Sequence, residues 1–167
     1  RLEDEARALA LAQPVRIQRS NGRFVVARLR QNYRVLLDVH RQLAQAQTAG
    51  RVMTPAGQWL VDNFHVIEAQ LREIRDDLPP GYYRQLPRLA TGPFAGFPRV
   101  FSIAWHFVAH TDSRFDPDLL RRFLAAYQSV APLTIGELWA ISITLRILLM
   151  ENLLRAADKV IENRDER

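Results

Sequence analysis

Apolar positions recur at helical intervals along most of the chain. Leu29, Tyr33, Leu36, His40 and Leu43 follow one another at steps of four, three, four and three, and Leu60, Phe64, Ile67, Leu71, Ile74 and Leu78 repeat that rhythm. Each set therefore falls on one face of an α-helix. A weak N-terminal helix precedes them. Ser20 or Asn21 is placed to cap the first long helix, which runs to about Gly50, a residue that enters the left-handed conformation freely. Thr54 caps the second, with Pro55 at its first position, where a missing N–H costs nothing. Joined only by residues 50–53, the two helices must run antiparallel and bury their seams together.

Glycine and proline concentrate in residues 79–98, which read as an internal loop between two helical halves. Beyond it the pattern becomes helical again. Arg99–Thr111 carries Val100, Phe101, Ile103, Ala104, Trp105, Phe107 and Val108. Asp116 and Pro117 open the next helix as cap and first residue, with Leu120, Phe123, Leu124 and Tyr127 on one face. Thr134-Ile-Gly-Glu137 is a capping box, in which each end of the motif satisfies the other's amide. The helix it starts, to about Ile161, is apolar around most of its circumference and so belongs at the centre. No stretch alternates with a period of two. The expectation is an all-α fold: one helical bundle over residues 1–163, with about five to six helices, no sheet and a charged tail at 164–167.

Composition narrows the chemistry. The 167 residues include no cysteine, which excludes a disulfide framework, a thiolate nucleophile and a cysteine-based zinc site. The start is charged and lacks the apolar core of a signal peptide. The most apolar run, Leu138–Met150, is interrupted by Arg146 and falls short of the roughly 20 residues that span a bilayer. Highly charged ends and a first residue other than methionine predict a soluble piece of something longer. The net charge of +5 comes almost wholly from arginine, since Lys159 is the single lysine. Such an excess suits phosphates, carboxylates or an anionic membrane face. The arginines spread over every helix with no recognition motif, so nucleic acid is not an expected partner.

Catalytic patterns are missing. There is no nucleophile elbow, phosphate-binding loop or dinucleotide fingerprint. His106 and His110, four apart with Asp112 following, could face a metal, but the motif lacks a glutamate and a third ligand at fixed spacing. Asp76 and Asp77 are adjacent on a helix and point apart. His40, within an apolar seam, fits a neutral core histidine. No catalytic, cofactor-binding or metal-binding residue is assigned. On the last helix Glu137, Thr144, Glu151, Arg155 and Glu162 form one stripe, and Arg146 points the other way. As a buried charge Arg146 needs a carboxylate, with Asp62 or Asp112 as first candidates. Tyr82, Tyr83, Arg84, Arg88 and Arg99 mix aromatic and guanidinium groups around the internal loop, and are the candidate contacts for a ligand or partner. The aromatic residues there would equally serve to pin the loop to the core.

Six stretches, in order, match a known pattern: Thr54–Glu68, Leu71–Pro79, Gly81–Pro87, Phe97–Val100, Val108–Arg114 and Pro132–Trp139. Together they resemble the N-terminal region of bacterial cyclic β-1,2-glucan synthases, ahead of the membrane-embedded glycosyltransferase domain. The resemblance covers roughly residues 31–154. It implies a parent that builds cyclic glucan from UDP-glucose with a divalent metal, and that also carries a phosphorylase-like domain. The family's catalytic aspartates lie downstream, so none is carried over. The segment itself is expected to be an accessory or interaction domain without its own cofactor, or else a module for glycan or nucleotide sugar. The resemblance also implies a place on the cytoplasmic side of the inner membrane. Its partners there would be the downstream transferase domain or a neighbouring subunit, with the anionic membrane surface as a further one.

Overall fold

The computed structural model describes residues 1–16, 23–78, 81–112 and 114–165. Among them are six α-helices: α1 (Leu2–Ala12), α2 (Arg23–Thr48), α3 (Pro55–Asp76), α4 (Arg99–His110), α5 (Pro117–Gln128) and α6 (Ile135–Asp165). The fold class is all-α. One exception to the expected absence of strands is a two-residue antiparallel ribbon, β1 (Val15–Arg16) with β2 (Arg88–Leu89), in the register Val15 to Leu89 and Arg16 to Arg88. Two residues are too few for a period-two pattern to show in the sequence. No helix among the described residues is long and apolar enough to cross a membrane.

The residues gather into two compact units that interleave along the chain. The first comprises Arg1–Phe24 and Pro79–Leu148. Its core holds Phe101, Ile103, Phe107, Phe123 and Tyr127, all essentially inaccessible, with the Phe107 and Phe123 rings 5.7 Å apart. Helix α1 packs on α5 through its buried face, Ala6 and Ala10, whose small side chains allow close approach, and Arg122 donates to Glu3 across the pair. The stretch read as a loop is more ordered than that word suggests. It contains a 3-10 turn over Tyr82–Gln85, strand β2, and a reversal in which Gly96 N–H donates to the Leu89 carbonyl at 2.9 Å. Gly92 and Gly96 sit at φ of 87° and 82°, where a side chain would strain the backbone. Phe94 meets Phe101 and Trp105 at 5.8 and 5.4 Å, and so ties the reversal to α4.

The second unit comprises Val25–Leu78 and Leu149–Arg167, so α6 supplies residues to both. Its core holds Leu36, Leu43, Ile67, Leu71, Ile74 and Leu154. With Leu29 and Leu60, also buried, seven of the eleven seam residues read from the sequence lie in the core. His40, also on a seam, is half-buried and stacks on Phe64 with ring centroids 3.8 Å apart. Tyr33 donates from α2 to Glu68 of α3 at 3.0 Å. Gly50 ends the turn after α2 at φ 68°. The Thr54 hydroxyl accepts the Gly57 amide at 3.1 Å, with Pro55 in the first turn of α3. The Ser20 or Asn21 cap lies outside the described residues. Replacing Thr54 by Ala leaves that amide without its acceptor, and urea unfolding should show a loss of about 1 kcal/mol.

Candidate functional site

The densest polar constellation lies in the first unit, around the start of α6. Glu137 is wholly buried. Arg99, at the start of α4, clamps it with two parallel bonds, Nε to Oε1 at 2.9 Å and Nη2 to Oε2 at 2.6 Å. Nη2 also donates to the Pro132 carbonyl at 3.0 Å. The capping box forms as the spacing requires, with Thr134 N–H donating to Glu137 Oε2 at 2.8 Å and Glu137 N–H to Thr134 Oγ1 at 3.2 Å. Burial works against the Arg99 charge, but the Glu137 carboxylate outweighs it and raises the guanidinium's pKa. Beneath lies the Tyr127 ring, 5.9 Å from Arg99 Cζ. Tyr127 donates to Gln13 Oε1 at 3.3 Å, and Gln13 Nε2 to Ser102 Oγ at 2.6 Å. No buried side-chain nitrogen or oxygen of this network lacks a hydrogen-bond partner among the described residues.

One turn-pair further along α6, Thr144 is also wholly buried. Its hydroxyl donates to the Ala140 carbonyl at 2.7 Å, so the Tyr83 hydroxyl, 2.8 Å away, acts as donor to it. Burial pushes the Tyr83 phenol up to about 12 and the Tyr127 phenol likewise to about 12. Tyr82 donates to the Gly136 carbonyl at 2.5 Å.

The five residues proposed as ligand contacts therefore separate. Tyr83 and Arg99 point inward, because each satisfies a buried group of α6. Tyr82 is bonded to the backbone of the same helix. Arg84 is exposed. Arg88 is half-buried, with Nε and Nη2 shielded from solvent and without a hydrogen bond among the described residues. Arg146 is half-buried, and its positive charge slightly opposes the effect of burial on the Tyr83 phenol. Its two candidate partners are both exposed: Asp62 accepts from Gln58 on its own helix at 2.8 Å, and Asp112 sits in the turn after α4 at φ 51°. Sequence reasoning missed the buried carboxylates. Glu137 belongs to Arg99, and in the second unit Glu151 takes a bidentate clamp from Arg28, at 2.7 and 2.9 Å, and a bond from Asn32 at 3.3 Å. The one sequence signal for these pairs was the seven-residue spacing of the polar stripe.

The histidines remain apart. Burial pushes the His106 imidazole below its ordinary value, and His110 adds to this. His110 Nε2 meets Glu5 at 2.9 Å on the surface. Among the described residues no three histidine or acidic side chains converge as metal ligands. Outside the buried networks, the start of α6 turns apolar groups to solvent: Ile135 is 75% exposed, Trp139 74% and Leu138 38%.

Two outcomes follow. Glu137→Ala should cost roughly 3–5 kcal/mol in denaturant unfolding, since Arg99 is left buried and charged, and combining it with Arg99→Met should recover most of that. In an absorbance titration at 295 nm, two of the four tyrosines should ionise only at about pH 12. The unfolded chain releases those protons near pH 10. Their contribution to stability is thus complete below pH 10 and should fall as the pH climbs from about 10 to about 12.

No known protein-family profile matches the chain. Over 141 residues, 84% of its length, it is 41% identical to the cyclic beta-(1,2)-glucan synthase NdvB of Rhizobium meliloti (strain 1021), of which it spans 5%. The stretches read from the sequence and this match agree, and the chain is related to one short segment of a cyclic β-(1,2)-glucan synthase.

Proposed function

We propose that this segment is a non-catalytic accessory and interaction domain of a bacterial cyclic β-1,2-glucan synthase, supporting glucan synthesis from UDP-glucose on the cytoplasmic side of the inner membrane. The kinship with that enzyme supplies the setting. The observation that carries the role is the contrast between the two sides of α6 at its start. Inside, Glu137 and Thr144 are spent on holding the fold. Outside, Ile135, Leu138 and Trp139 form an apolar stripe at helical spacing, which a helix in water would ordinarily hide. The transferase portion of the synthase is the partner this face would pack against. The other reading, a glycan or nucleotide-sugar module built on the residues from Tyr82 to Arg99, keeps Arg84 exposed and Arg88 only half-buried, with two of its nitrogens shielded from solvent.

The role is checked in the full-length synthase. Ile135→Ser with Trp139→Ser should sharply lower cyclic glucan formation from UDP-glucose, while the same changes leave the far-ultraviolet dichroism of the isolated segment intact. The isolated segment should not consume UDP-glucose. Wild-type glucan output from the double variant, or turnover by the segment alone, would refute the proposal.

A further inference from the structure

The second unit carries a different polar feature. Arg30 and Arg34 of α2 and Arg72 and Arg75 of α3 line a cleft of about 420 Å³. Buried Leu29 and Leu71 form its floor, and Tyr33 lies among the arginines. The charges do not cancel. Arg72 is held by Glu68 at 3.0 Å, and Arg75 by the exposed Asp76 at 3.1 Å. Glu68 also accepts the Tyr33 hydroxyl. Arg30 and Arg34 make no hydrogen bond or ion pair among the described residues. Of the four guanidiniums, Arg72 and Arg75 thus have carboxylate partners while Arg30 and Arg34 have none among the described residues.

Arg30 and Arg34 add no hydrogen bond or ion pair to the fold among the described residues. Arg30 and Arg34 are one turn apart on the same helix, and like charges at that spacing cost a few tenths of a kcal/mol. Guanidinium forks from opposite walls of a concave site match the oxygens of a phosphate, which they can bind in bidentate fashion. An apolar floor and a tyrosine give room for a carbon moiety attached to it. We propose that the cleft between α2 and α3 binds a phosphate-bearing anion, with Arg30 and Arg34 as its primary ligands and Arg72 and Arg75 completing the opposite wall. The same chemistry is offered by a soluble diphosphate and by a phospholipid headgroup. The site stands apart from the accessory role and from the apolar face of α6.

Two probes separate the sources. The 167-residue chain is titrated with inorganic pyrophosphate at matched ionic strength, by calorimetry and by amide shifts, and is sedimented with phosphatidylglycerol or phosphatidylcholine vesicles. Saturable pyrophosphate binding that shifts α2 and α3 amides identifies a soluble ligand. Binding confined to phosphatidylglycerol vesicles identifies a headgroup. In either case Arg30→Ala with Arg34→Ala should weaken binding by roughly tenfold or more. Because neither side chain holds the structure together, this variant should melt no lower than the wild type. Binding to neither probe, or binding that the double variant leaves unchanged, overturns the proposal.

Discussion

A long central helix cannot carry polar side chains on its buried face unless each meets a partner. Among the described residues helix α6 carries three, Glu137, Thr144 and Glu151, at seven-residue steps that return to nearly the same face. Three elements answer them: Arg99 at the start of α4, Tyr83 in the 3-10 turn, and Arg28 on α2. An unmatched carboxylate in either unit would cost several kcal/mol, comparable to the whole stability of a small domain. Within the first unit directional bonds tie α4 and the turn to the start of α6, and within the second they tie α2 to its later part.

What the sequence revealed and what it hid divide by range. Thr54 with Pro55, Asp116 with Pro117, and the Thr134–Glu137 box are local signals, each complete within four residues, and all three form as read. The seams of α2 and α3 are also legible, because a single helix displays its own period. The partners of the buried acids are not. Arg99 lies 38 residues from Glu137 and Arg28 lies 123 from Glu151, and no local pattern selects them from among so many arginines. The polarity of α6 at its start was hidden for a related reason. A helix apolar around most of its circumference does not reveal that Glu137 is buried while Ile135 and Trp139 are exposed, a facing that the Arg99 clamp holds.

The functional residues separate along the same line. Tyr82, Tyr83 and Arg99 looked like a surface set because aromatic and guanidinium groups clustered in sequence, yet their bonds go to the backbone and side chains of the fold. The arginines that do share a concave surface come from α2 and α3, about 40 residues apart in the chain, and only the antiparallel pairing of those helices joins them. Similarity to a segment of a glucan synthase comes from the sequence match. The accounting of satisfied polar groups separates the side chains that hold the fold from those left open.

The three tryptophans share an unusual property. Trp59, Trp105 and Trp139 are all substantially exposed, while the rings that fill the interior belong to phenylalanine and tyrosine. Indole emission from this chain is thus a signal of what touches its outside, already near the wavelength of a solvated ring before anything unfolds. Melting of the interior is better followed through the buried phenols, and a blue shift of the emission would mark the arrival of a neighbour.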